Sequence, residues 1–319
     1  MTADTVVALQ GVTKRFAAHT AVKQLTLAVP RGSIYGLLGP NGAGKTTTIR
    51  MIMNILVPDE GTISLFGTRS DGRALSSRIG YLPEERGLYR KMKVGDLLVF
   101  LAETKGMDRQ AARREAKRWL EQLGLGAWEQ QKLDALSKGM QQKVQFISTV
   151  MHGPALVILD EPFASLDPVN TQVMKDTVVT LARAGTTILF STHIMEHAEK
   201  LCDAICIIAR GEKVVDGRLA DIKRNHGGRH VIVAVERGVE AERVLKDRTL
   251  VAKADEYGQY AELELADGAA PHRILEALVR AGAQVTRFEV AEPTLHKIFI
   301  DKVGPDAATA PADTGGARG

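Results

Sequence analysis

Gly39-Pro40-Asn41-Gly42-Ala43-Gly44-Lys45-Thr46 fits the pattern G-x-x-x-x-G-K-[ST], a spacing whose chemistry is phosphate binding. Gly42 and Gly44 let the backbone curl until its N–H groups face phosphate oxygens. A helix starting at the end of such a loop adds the positive end of its dipole. Lys45 reaches the β- and γ-phosphates, and the Thr46 hydroxyl is a ligand for Mg²⁺. A chance Gly-rich turn is the competing reading; correct spacing between a strand and a helix argues against it. The second group is Leu156-Val157-Ile158-Leu159-Asp160-Glu161. Four apolar residues make a buried strand that delivers two carboxylates at its end. Beside a phosphate loop, Asp160 completes Mg²⁺ binding and Glu161 polarises an attacking water.

These residues need particular elements to hold them. Ser33–Leu38 reads as an apolar strand entering the loop. Ile49, Ile52, Met53 and Leu56 then recur at i, i+3, i+4 and i+7, a helix that Pro58 ends. Upstream, Val6–Leu9 and Ala21–Val29 read as β segments broken by polar turns; downstream, Thr62–Phe66 and Arg78–Leu82 read as strands. Residues of about 92–152 turn helical. There Asp108 caps a helix with the stripe Ala112, Ala116, Trp119, Leu120 and Leu123, and a further helix starts at Ser137. The charge run Arg109–Arg118 reads as a solvated helix face. From Leu156 on, the strands Leu156–Leu159, Thr187–Phe190 and Ala204–Ile208 alternate with the helices Val169–Ala184 and Ile194–Leu201. That alternation predicts a parallel sheet covered by helices. Gly217, Gly227 and Gly228 among charges read as a linker near 216–229. After it, six elements run strand, helix, strand, strand, helix, strand, the ferredoxin-like order. A last helix covers Thr294–Val303, and the Ala/Pro/Gly/Thr-rich tail from Gly304 reads as disordered.

Composition sets outer limits. The chain has 319 residues, 45% hydrophobic and 25% charged, enough for two domains with packed cores. The formal charge of +4 is too small, and too interleaved with acids, to imply nucleic acid; a basic face toward an anionic membrane fits it equally well. No apolar run approaches the ~18 residues of a membrane span, and the N-terminus lacks a signal-peptide pattern. The expectation is a cytosolic protein whose membrane role acts through a partner. Cys202 and Cys206 read as reduced, buried thiols.

In their order, these motifs resemble those of ABC transporter nucleotide-binding subunits over residues 5–225. The Walker A loop corresponds to residues 39–47, which implies nucleotide contacts from Gly39, Pro40, Asn41, Gly42, Ala43, Gly44, Lys45, Thr46 and Thr47. Walker B corresponds to 156–161. Leu136-Ser137-Lys138-Gly139-Met140 stands where the signature motif would be, with Lys138 in place of a glycine and Met140 in place of a glutamine. The retained Ser137 and Gly139 would contact γ-phosphate. Ser165-Leu166-Asp167 resembles the D-loop, His193 the switch histidine, and Phe16 the aromatic that stacks on adenine. Asp167 also reads as a helix cap, since Pro168 follows it. In Tyr81-Leu82-Pro83-Glu84, a carboxylate takes the slot of the family's metal-binding glutamine, so Glu84 is implied as a Mg²⁺ ligand with an added negative charge. The segment Leu136–Lys143 resembles bacterial exporters of sodium and drugs that carry a C-terminal extension.

The resemblance implies a P-loop ATPase with a parallel sheet core and a helical lobe over 1–225, and a small α/β ferredoxin-like domain over 229–303. It implies ATP and Mg²⁺ as cofactors, catalysis by Glu161, His193 and Lys45, and a homodimer with head-to-tail active sites. The expected partner is an integral membrane permease, at the cytoplasmic face, with no nucleic acid expected. The rival is a soluble ATPase of the same type acting on nucleic acid or the ribosome. Such chains carry two ATPase halves or a long coiled coil, whereas here one phosphate loop stands without a heptad run. A nucleotide-dependent scaffold without turnover is the third reading, and Glu161 and His193 speak against it. The C-terminal domain carries no chemistry legible in sequence: His272 and His296 stand alone.

Overall fold

The computed structural model describes residues 4–17, 19–69, 75–85, 87–226, 230–236 and 239–304. The expected tail from 305 onward lies outside them. The described residues divide into two compact units, whose continuous stretches end at Gly217 and Lys302.

Along the first unit run β1 (Thr5–Phe16), β2 (His19–Pro30), β3 (Ile34–Leu38), α1 (Lys45–Ile52), β4 (Glu60–Leu65), β5 (Thr68–Arg69) and β6 (Ile79–Leu82). Then follow α2 (Val94–Thr104), α3 (Arg109–Gln122), α4 (Lys138–Val150), β7 (Leu156–Asp160), α5 (Pro168–Arg183), β8 (Thr187–Thr192), α6 (Met195–Leu201), β9 (Ala204–Ala209) and β10 (Glu212–Arg218). β3, β7, β8 and β9 are buried at every position, as apolar runs covered on both faces must be. They form a six-stranded sheet in the order β10-β9-β3-β8-β7-β6. The pairs β3/β8, β3/β9, β7/β8 and β6/β7 are all parallel. Register places Leu38 beside Thr192 and Asp160 beside Ser191, so loops leaving these strands meet at one edge of the sheet. A second sheet, β2-β1-β4-β5, is antiparallel in its pairings.

Two expected segments differ. β1 does not stop at Leu9; shifts in register on either side of Val12 carry it past Gly11 to Phe16, where Phe16 pairs with His19. A bulge hides such a strand from period-2 reading. The segment 216–229, expected as a linker, holds the end of β10 and then α7 (Leu219–His226). Leu219 and Ile222 are buried one turn apart, but two apolar residues are too short a stripe to stand out among charges. The division between units therefore falls at Gly217, ahead of the expected 225, and α7 groups with the second unit.

That unit continues with β11 (His230–Val235), α8 (Val239–Leu245), β12 (Val251–Glu256), β13 (Ala261–Leu265), α9 (Pro271–Arg280), β14 (Val285–Ala291) and α10 (Leu295–Val303). The sheet order is β12-β13-β11-β14 with every pairing antiparallel, the ferredoxin-like arrangement. Val231, Val233, Leu263 and Leu265 form its core with Ile274 and Leu278 of α9. Both cysteines are free and buried, and burial pushes both thiols up.

Candidate nucleotide-binding site

The loop between β3 and α1 needs glycine for steric reasons. Gly44 has φ +105°, and a Cβ there would sit 2.4 Å from the Ala21 carbonyl. At Gly39 (φ +152°) a Cβ would lie 2.1 Å from the Ile208 carbonyl. No side chain with a Cβ fits either place, so the curl that turns N–H groups inward depends on these glycines. The loop opens onto a cleft lined by Asn41, Gly42, Ala43, Gly44, Lys45, Thr46 and Thr47 together with Glu84, Glu161, His19 and Ala21. His19 and Ala21 were not singled out as site residues by sequence; they come from the start of β2.

Lys45 is 6% exposed. Its ammonium donates to the carbonyls of Gly39 (2.8 Å) and Pro40 (3.1 Å) and stands 3.7 Å from Glu161 Oε1. Burial pulls its pKa below the usual value, although Glu161, Asp160 and Glu84 all oppose that. Asp160, at the end of β7, is fully buried. The Ser191 hydroxyl of β8 donates to its Oδ1. Its Oδ2 is buried with no hydrogen-bond partner. Burial drives the Asp160 carboxyl up, against the Ser191 and Thr46 hydroxyls, which draw it down. Glu84 is also pushed up, by desolvation first and then by the charges of Asp160 and Glu161. α4 tethers its segment: Gln145 Nε2 donates to the Pro83 and Glu85 carbonyls, each at 3.4 Å. An orphaned carboxylate oxygen, a nearby hydroxyl and carboxyls held above their usual range all suit a hard, oxygen-seeking cation such as Mg²⁺.

Glu161 holds a positive φ of +48°, unusual for a residue with a side chain. Its N–H is shared between the Ser191 carbonyl and hydroxyl, both at 3.3 Å. Its Oε1 accepts from the His193 backbone N–H at 3.0 Å and lies 2.9 Å from the His193 ring Nδ1. Strand β8 thus presents Ser191 to Asp160, and the residue just after it, His193, meets Glu161. Ser191 was legible only as a neighbour of His193; the alternation that points it under Asp160 depends on the β7/β8 register.

Phe16 is 43% exposed and does not line the cleft itself; its ring stacks at 5.8 Å on His19, which does. Ser137 and Gly139 are not among the cleft's lining residues. Ser137 caps α4, accepting from the Met140 N–H at 3.3 Å. Gly139 faces the segment 165–166, where an added Cβ would lie 3.6 Å from the Ser165 carbonyl. Asp167 caps α5 through the Asn170 N–H at 2.9 Å, with Pro168 in the first turn.

A phosphate-cradling loop at the carboxyl edge of a parallel sheet, faced by two carboxylates at the end of β7, the strand beyond β8, defines a P-loop nucleotide-binding protein. Comparison with known proteins narrows the class. The ABC transporter family matches residues 22–164, and the C-terminal domain of DrrA1-3-like ATP-binding proteins matches 217–303. The ABC transporter ATP-binding protein YhaQ of Bacillus subtilis (strain 168) is 46% identical over 293 residues, covering 92% of this chain and 97% of the relative. The linearmycin resistance ATP-binding protein LnrL of the same strain is 31% identical over 302 residues, with 92% and 97% coverage. A solved ATP-binding subunit of an ABC transporter superposes with a TM-score of 0.65 at 32% identity, covering 69% of this chain and 93% of that one. The chain belongs to the ATP-binding proteins of ABC transporters, and members of that family are ATPases. Among the described residues, no helix is long and apolar enough to cross a membrane.

Proposed function

We propose that this chain is the ATP-hydrolysing subunit of an exporter, bound peripherally at the cytoplasmic face of the membrane to a separate permease and acting as a homodimer. The observation that carries the catalytic part is the cleft itself, where Lys45 and Glu161 stand 3.7 Å apart with His193 holding the same Glu161 oxygen. In this reading the loop from Gly39 to Thr47 holds the phosphates. Lys45 leaves the Gly39 and Pro40 carbonyls and spans the β- and γ-phosphates. Glu161 orients the attacking water and accepts its proton as the γ-phosphoryl bond to ADP breaks. His193 fixes the Glu161 carboxylate and faces the γ-phosphate. Thr46, Asp160 and Glu84 would hold Mg²⁺, which when bound neutralises charge on the phosphates. Phe16 extends the His19 stack toward an adenine ring.

Ser137 and Gly139 are not among the residues lining their own chain's cleft, and a second copy, head to tail, is what gives them a phosphate to touch. The direction of transport rests on relatives: one is named for linearmycin resistance, and the C-terminal match is to the DrrA1-3-like domain. Purification with the permease into vesicles, followed by ATP-dependent extrusion of a loaded compound, tests the exporter reading. Uptake without extrusion would overturn the direction, and turnover stimulated by nucleic acid or ribosomes would favour the soluble rival.

A further inference from the structure

We propose that the outward face of α3 binds an anionic lipid surface directly, as a contact of this chain with the bilayer beyond any made through a permease. Arg109, Arg113 and Lys117 recur at i, i+4 and i+8, and Arg114 stands beside them. All four are exposed. Like charges one turn apart repel, and each such pair weakens a helix. Arg109 is also the first helical residue, where the dipole's positive end disfavours a cation, and the first turn has no acidic residue. Among the described residues, none of the four has an ion-pair partner; the helix's salt bridge is Arg118 with Glu115. Packing does not ask for these cations either. The buried stripe of Ala112, Ala116, Trp119 and Leu120 docks α3, and the Asp108 carboxylate caps it, accepting from Gln110 and Ala111 at 3.0 Å. A solvated face would be served as well by mixed charges. The helix retains an arrangement that costs it stability, and a polyanionic partner relieves that cost.

Charge is also localised at larger scale. Residues 87–152 contain twelve Lys and Arg against seven Asp and Glu, a net +5 in a chain of net +4, so the rest of the chain is net −1. The geometry favours a flat partner over a rod. The groove between α2 and α3 has Arg113, Arg114 and Lys117 on one wall, but Asp96 and Glu129 also line it. A nucleic-acid backbone lying in that groove would meet carboxylates, whereas a plane of lipid phosphates need not enter it to reach the exposed cations. Membership of a family that works at membranes puts such a plane within reach.

The test is co-sedimentation of the full chain with vesicles of phosphatidylcholine, with and without phosphatidylglycerol, in the absence of any permease, so its outcome is independent of the transport assay. Binding should require the anionic lipid and fall sharply between 0.05 and 0.5 M salt, a range of about 14 Å to 4 Å in screening length. The variant R113Q/R114Q/K117Q should lose affinity for anionic vesicles on the order of a hundred-fold, with ATP binding unchanged as proof of folding. A charge-matched control, R273Q/R280Q/K302Q, should stay within about three-fold of the parent, because those side chains lie in the other unit. Equal binding to neutral vesicles, an unchanged triple variant, or equal loss in the control would overturn the proposal. So would a duplex oligonucleotide that binds more tightly than the vesicles at equal phosphate, since that would make the stripe a nucleic-acid surface.

Discussion

Lys45 is held by its own loop before any nucleotide arrives, donating to the Gly39 and Pro40 carbonyls with Glu161 close by. Phosphate binding therefore exchanges two neutral acceptors for a highly charged one, an exchange strengthened by the low exposure of the ammonium. Lys45→Ala should weaken ATP binding by about ten- to a hundred-fold and lower turnover by on the order of a hundred- to a thousand-fold. Calorimetry and a phosphate-release assay read the two effects separately, and near-normal turnover would sink the phosphate-loop assignment. Residues of this kind were legible in sequence because their spacing is the chemistry: G-x-x-x-x-G-K-T can be read without knowing the fold. Ser191, His19 and Ala21 were not, because Ser191 meets Asp160 through strand register and His19 and Ala21 line the cleft from β2, and neither leaves a local pattern. Gln145, which donates to the carbonyls flanking Glu84, is hidden in the same way inside an otherwise ordinary helix.

At the scale of elements, helix starts and buried strands were the most legible part, since each cap or apolar run declares itself within a few residues. Asp108, Ser137 and Asp167 all cap the helices expected of them. What escaped was what needs two strands to see: the bulge that extends β1 to Phe16, and the helix of 219–226 that stood in a Gly-rich, charged stretch. Two substitutions separate local from tertiary demands. Asp167→Ala removes the acceptor for the Asn170 N–H and should lower the thermal unfolding midpoint by a few degrees. Gly44→Ala meets both a φ of +105° and the Ala21 carbonyl at 2.4 Å. It should cost about 1–3 kcal/mol from backbone strain and also disturb ATP binding, whereas Gly153→Ala, with φ +66° and open space around it, should leave ATP binding intact. If both glycine variants bind ATP like the parent, the loop does not depend on the curl described for it.

At the scale of the whole molecule, every residue proposed to touch nucleotide precedes Gly217, where the first unit's continuous stretch ends. A fragment ending there should bind ATP with the affinity of the full chain by calorimetry; loss of binding in a fragment that still unfolds cooperatively would show that the site extends into the second unit. The full chain makes a stronger demand, because Ser137 and Gly139 are not among the residues lining the cleft of their own chain, and Gly139 faces segment 165–166. Glu161→Gln tests whether a second copy brings them to the phosphate. The amide keeps the volume of the side chain but cannot take a proton from water, so turnover should fall by about a hundred- to ten-thousand-fold. Binding should survive, since Lys45, the loop amides and Asp160 are untouched. The change also removes one negative charge facing the γ-phosphate from a site where Asp160 and Glu84 already strain against ionisation, which favours the closed, ATP-bound state. The variant should therefore accumulate as an ATP-bound dimer while the parent returns to monomer as it hydrolyses. Size-exclusion with light scattering, with ATP and without it, reads that difference directly. A variant that binds ATP yet stays monomeric well above its dissociation constant, alone and again with the permease present, would leave Ser137 without a phosphate and end the sandwich reading.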